Sequence, residues 1–190
     1  VHLARSGALS TLSRRHPGHP FGSIMPYAPD ELGAPLPPIS GMAMHTQNLE
    51  ADPRASLLVT QPGWTEDPLA GGRVTLLGRA VRVPDDRRAA ARGAYLARHP
   101  KAAFWVDFED FSFWRLEVAD VYFVGGFAAM DWVTGEGYAD ARPDPLAAVQ
   151  PRPRSIKWWP VCAACCRPSL CSLPTKRGNL SRAGSWSRCT

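Results

Sequence analysis

Ala55-Ser56-Leu57-Leu58-Val59-Thr60 and Arg73-Val74-Thr75-Leu76-Leu77-Gly78-Arg79-Ala80-Val81-Arg82-Val83 are joined by a segment running from Pro62-Gly63 to Gly71-Gly72. Runs this rich in Val and Leu, bounded by Gly and Pro, read as two strands of an antiparallel meander. Further along, Trp114, Leu116 and Val118 alternate with Arg115 and Glu117. That pattern is a half-buried strand, expected to turn near Ala119-Asp120 and to return as Val121 to Phe127. Toward the start, Ala8 to Leu12 and Phe21 to Ala28 read as strands around the breaker Arg14-Arg15-His16-Pro17-Gly18-His19-Pro20. Leu36 to Ser40 is a further strand, reached through Pro29 to Pro35, whose Asp, Gly and Pro content suits a hairpin. Pro37 and Pro38 lack amide hydrogens, so this strand is expected at an edge or a bulge.

Two helices interrupt the strands. Met42 to Glu50 has helical composition and stops before Asp52-Pro53. Asp85-Asp86 is expected to cap a second helix through Arg98, with Ala91, Ala94 and Tyr95 at helical spacing and Arg87, Arg88, Arg92 and Arg98 on a solvated face. His99-Pro100 ends it. Six or seven strands with so few helices give a mainly β fold, a closed or nearly closed antiparallel barrel, because a parallel sheet needs a helix after almost every strand.

The chain has 190 residues, 22 Lys plus Arg and 17 Asp plus Glu, which is enough for one sizeable core. Charge divides it into two regimes. Residues 1–146 hold 14 basic and all 17 acidic residues, a net of −3; residues 147–190 hold 8 basic and none acidic. The basic balance therefore belongs to the tail, and no nucleic-acid partner is expected of the barrel. The nearly uncharged stretch Val121 to Met130 falls well short of the ~18 apolar residues of a spanning helix, and no charged-then-apolar leader opens the chain, so a cytoplasmic protein without a membrane partner is expected.

Pro20-Phe21-Gly22-Ser23-Ile24-Met25-Pro26-Tyr27, Ile39-Ser40, Met44-His45-Thr46-Gln47-Asn48-Leu49, Asp52-Pro53-Arg54-Ala55-Ser56-Leu57-Leu58 and Val74 to Ala80 occur in an order and at gaps that resemble the pyridoxamine-phosphate oxidase-like, FMN-binding split-barrel family. Phe113-Trp114-Arg115-Leu116 and Val124-Gly125-Gly126-Phe127 resemble its closing strands in the haem-utilisation and CREG-type branch. The resemblance covers roughly residues 3 to 146. It implies a homodimer with FMN in two clefts, each lined from both subunits. Ser40, His45, Thr46 and Arg73 are then expected to serve the cofactor, with Ser23, Ile24, Met25 and Pro26 along the isoalloxazine. The start of the helix after Ser40-Gly41 suits a phosphate dianion, since its unpaired amides and dipole face the anion.

The departures narrow the chemistry. The basic pair that grips phosphate in pyridoxamine-phosphate oxidase itself falls here on Met44 and His45, and its substrate-pocket lysine falls on Ala28, so the vitamin substrate is not expected. No catalytic residue and no metal site is assigned. The first reading is an FMN-dependent oxidoreductase of unknown substrate. The alternatives are a haem-binding or haem-degrading protein, for which an axial ligand such as His is required, and a non-catalytic flavin-binding interaction module.

The tail holds all five cysteines, Cys162, Cys165, Cys166, Cys171 and Cys189, with no histidine and no regular period. Adjacent ligands and no second well-spaced pair argue against zinc. It reads as a disordered segment from a shifted reading frame, and the front of the chain as the interior of a family helix.

Overall fold

The computed structural model describes residues 1–63, 67, 69–126 and 129–141. The expected domain boundary after residue 146, the tail with its cysteines, and Phe127 lie outside the described residues.

Among the described residues, nine strand segments form in chain order: β1 (Ser6–Leu12), β2 (Pro20–Pro26), β3 (Ala28–Pro29), β4 (Pro35–Leu36), β5 (Pro38–Ser40), β6 (Arg54–Thr60), β7 (Arg73–Arg82), β8 (Phe111–Val124) and β9 (Met130–Thr134). Helix α1 (Met44–Ala51) lies between β5 and β6, α2 (Asp85–Arg98) and a tight turn at Pro100–Phe104 between β7 and β8, and α3 (Gly135–Asp140) follows β9. The main sheet runs β2-β1-β6-β7-β8-β5, with β9 also on β8, and all of its pairs are antiparallel. Leu9, Met25, Ile39, Leu57, Leu76 and Trp114, drawn from both ends of this path, meet in one buried cluster, so the sheet curls around its own core as a barrel. Leu49 of α1 joins that cluster. A second cluster packs Ala91 and Tyr95 of α2 against Phe113, Ala28 and Leu36 on the other side of the wall.

Proline decides where two expected strands break. The second expected strand ends at Pro26 and resumes as β3, while the Leu36–Ser40 strand divides at Pro37. The short β3–β4 pair is the hairpin read from Pro29 to Pro35, closed by Asp30 and Ala34. β5 lies at the end of the path, as a strand beginning with Pro38 must, and the Pro37 carbonyl still accepts from the Trp114 amide at 2.9 Å.

Three local expectations are corrected. There is no turn at Ala119-Asp120: β8 runs on to Val124, and the returning strand is β9. The alternation breaks because the register against β7 slips there, with Leu77 opposite Asp120 but Gly78 opposite Val118. This is a bulge, which adds one residue and moves apolar side chains from even to odd positions. A Cβ at Gly78 would lie 1.9 Å from the Glu117 carbonyl oxygen, so only glycine fits. Nor do the Asp85 and Asp86 side chains cap α2; Pro84 holds the cap position with no side-chain bond, and the two carboxylates sit in the first turn, where they favour the helix through its dipole. Arg98, assigned to a solvated face, instead turns inward and donates to the Ala4 carbonyl.

The bulge yields a direct test. Gly78→Ala is expected to lower unfolding free energy by about 3 kcal/mol in denaturant titration, the upper range for overpacking. A loss within about 0.5 kcal/mol, typical of surface changes, would contradict this register.

Candidate functional site

The corner between β5 and α1 was the expected phosphate site, and its side chains are largely committed to each other. Ser40 donates its hydroxyl to the Asp110 carboxylate at 2.5 Å and accepts from the Met42 amide at 3.2 Å. The Gly41 amide donates to the Asp110 carbonyl at 2.7 Å. Thr46 is buried and donates to the Ser40 carbonyl at 2.6 Å. A carboxylate thus already stands where a second anion was expected, and bringing a phosphate dianion beside it costs Coulomb energy. Asn48, two residues further on, is fully buried; its amide nitrogen donates to Thr11 and its oxygen accepts from the Arg14 amide, which fixes α1 on β1.

His45 differs from its neighbours. It is half-buried on α1 and has no hydrogen-bond partner among the described residues. Burial holds its imidazole below the ordinary histidine value, so the neutral ring with a free nitrogen lone pair is favoured.

On β2 the expected residues divide by strand alternation. Met25 is buried in the barrel core, whereas Ile24 and Pro26 face outward. Ser23 pairs with Leu9 on the inward phase and is partly buried. Ile24, Ala8, Leu58, Thr75, Tyr122 and Trp132 stand in one register row across β2, β1, β6, β7, β8 and β9. At about 4.8 Å per strand the row spans roughly 24 Å of the outer wall. Ile24 is 77% exposed, Leu58 38% and Trp132 59%, and the Tyr122 and Trp132 rings lie 4.9 Å apart. Sequence reading missed this wall. Its signal was adjacent apolar pairs, such as Leu57-Leu58, which supply both faces of a strand at once.

Arg73 borders the same face, in the next row with Thr60, Val124 and Met130, and its guanidinium donates to the Leu69 carbonyl at 3.0 Å. It is not near α1. β6 leaves α1 at Arg54 and meets Arg73 only at Thr60, about 20 Å away along the strand. Within one protomer, Arg73 and the His45 corner are therefore separate.

A model of the CREG β-barrel matches residues 1–140. The chain belongs to the CREG β-barrel family. The non-canonical heme oxygenase HOZ of Arabidopsis thaliana chloroplasts is 44% identical over 145 residues, covering 74% of this chain and 44% of the relative. Protein CREG1 of Gallus gallus is 26% identical over 160 residues, covering 75% of this chain and 83% of its own. Among solved structures, a heme binding protein from Mycobacterium smegmatis superposes with a TM-score of 0.71 at 44% identity, covering 75% of this chain and 58% of that one. The chain thus spans less than two thirds of the length of HOZ and of the mycobacterial protein. These comparisons bear out the split-barrel family and the mainly β fold read from the motifs. No helix among the described residues is long and apolar enough to cross a membrane.

The buried imidazole has a pH signature. As pH falls through 6.5 the unfolded chain takes up a proton that folded His45 resists, so stability is lost on acidification. NMR titration of His45 is expected to give a midpoint below 6.5, and His45→Gln to reduce the stability loss between about pH 7 and about pH 5. A midpoint at or above the ordinary value contradicts the burial argument.

Proposed function

We propose that this chain is a haem-binding split-barrel protein, and a haem-degrading one in the setting of a longer family member. The observation that carries the reading is 44% identity both to a heme oxygenase and to a heme binding protein, over nearly the whole described barrel. The site chemistry agrees with it. A porphyrin face is large and apolar, and the exposed outer-wall row offers Ile24, Leu58, Tyr122 and Trp132 for it. Haem iron takes a neutral imidazole nitrogen, and His45 supplies one that no group among the described residues already uses. Bound haem brings its own iron redox chemistry; the protein contributes binding, orientation and exclusion of water.

Wall and corner belong to one site if two copies pair as the family resemblance implies, each cleft being lined from both subunits. The exposed apolar wall supports such a homodimer, because a patch of that kind marks an interaction surface. The FMN oxidoreductase reading rests on the resemblance alone. Its phosphate finds Asp110 beside Ser40 and no arginine or lysine on α1, and the nearest expected cation, Arg73, is engaged elsewhere.

Titration of the full chain with haemin is expected to give a saturable Soret band. Ile24→Glu is expected to weaken binding at least about tenfold, the equivalent of about 1.4 kcal/mol. His45→Ala is expected to shift the band position, as loss of an imidazole ligand would. A chain that develops no saturable Soret band but retains FMN through purification overturns the proposal in favour of the flavin reading.

A further inference from the structure

Among the described residues Arg98 has no carboxylate within ion-pair distance, although part of its side chain is buried. Arg98 stands on the last turn of α2, with its guanidinium 6.0 Å from the centre of the Tyr27 ring and one terminal nitrogen donating to the Ala4 carbonyl. Its Nε is buried and has no acceptor among the described residues. A buried donor left unpaired is unfavourable, so the fold itself satisfies this guanidinium only in part.

The surroundings are cationic as well. Arg98 lines an open groove between the N-terminal segment and α2, together with His2 and Arg5, over a floor of Ala94 and Ala97. Among the described residues no carboxylate lines it. Asp30, close in sequence to the groove residue Pro29, is already used: one oxygen accepts from the Leu32 and Ala34 amides, and the other accepts from Arg115 at 2.7 Å. A neighbouring group registers the uncompensated charge. The His2 imidazole is held below its ordinary value, first by burial and then by nearby cations that include Arg98. The C-terminal end of α2 opposes this with a partial charge of about half a unit, less than two guanidinium groups supply.

We propose that this groove is a binding site for a small oxyanion, a phosphate or carboxylate group, with Arg5 and Arg98 as its charge partners. A planar guanidinium offers paired donors to either group, and the small floor residues leave room for the anion to approach. The site is separate from the outer wall and from His45 and does not depend on the haem reading.

The test is an amide NMR titration of the full chain with inorganic phosphate and, separately, with acetate, at constant ionic strength held with chloride. Saturable shifts at Leu3, Arg5, Ala97 and Arg98 are expected, with affinity at least fivefold weaker, roughly 1 kcal/mol, in Arg5→Gln. Arg5 is exposed and its side chain makes no hydrogen bond, ion pair or ring contact among the described residues, so this variant keeps the fold. Arg79→Gln, at an exposed arginine on β7, is expected to leave the affinity unchanged. Response to phosphate alone, to acetate alone, or to both identifies which source the groove accepts. No saturable shift with either probe, or equal affinity in Arg5→Gln, overturns the site.

Discussion

The hydrogen bond from Ser40 to Asp110 governs the end of the barrel on which the functional reading turns. β5 is three residues long and begins with a proline, so three paired positions on β8 hold it only weakly. The Asp110 clasp, through both its carboxylate and its carbonyl, anchors the residues that follow and so sets where α1 starts. From that start, Thr46 locks back onto Ser40 and Asn48 reaches β1, which places Leu49 in the barrel core and leaves His45 half-buried with no hydrogen-bond partner among the described residues. One carboxylate therefore both builds the corner and makes it unfavourable for a second anion.

Much of this barrel was legible in the sequence because its signals are local. Alternation and turn residues located β1, β6 and β7, and the His99-Pro100 stop of α2 follows from the restriction proline places on its neighbour. Pro37 and Pro38 marked an edge strand from the missing amide alone. The misreading at Ala119-Asp120 has a physical origin: a bulge and a turn both interrupt alternation, and only the close approach of Gly78 to the Glu117 carbonyl distinguishes them. Gly78 was visible, but its partner strand was not.

The candidate site was less legible, since its decisive contacts are distant in sequence. Ser40 and Asp110 are 70 residues apart, and no motif joins them. Ser40 and Thr46 carry the hydroxyls expected of a phosphate corner, yet both are spent within the protein. Arg98 was assigned to solvent by helical period, whereas it turns toward the N-terminal segment. Ile24 and Arg73 do share the outer face, but Ile24, Leu58, Tyr122 and Trp132 make much of that face apolar, a property that appears only once register aligns residues from separate segments.

The proposed haem reading and the flavin reading are separable by light, because the two cofactors absorb in the visible at different wavelengths. The most direct measurement is the absorbance spectrum of the full chain as isolated from cells. The account predicts a Soret band, with no flavin absorption that bleaches on reduction. A flavin spectrum in stoichiometric amount, with no Soret band, would contradict it and return the β5–α1 corner to the role of a phosphate site.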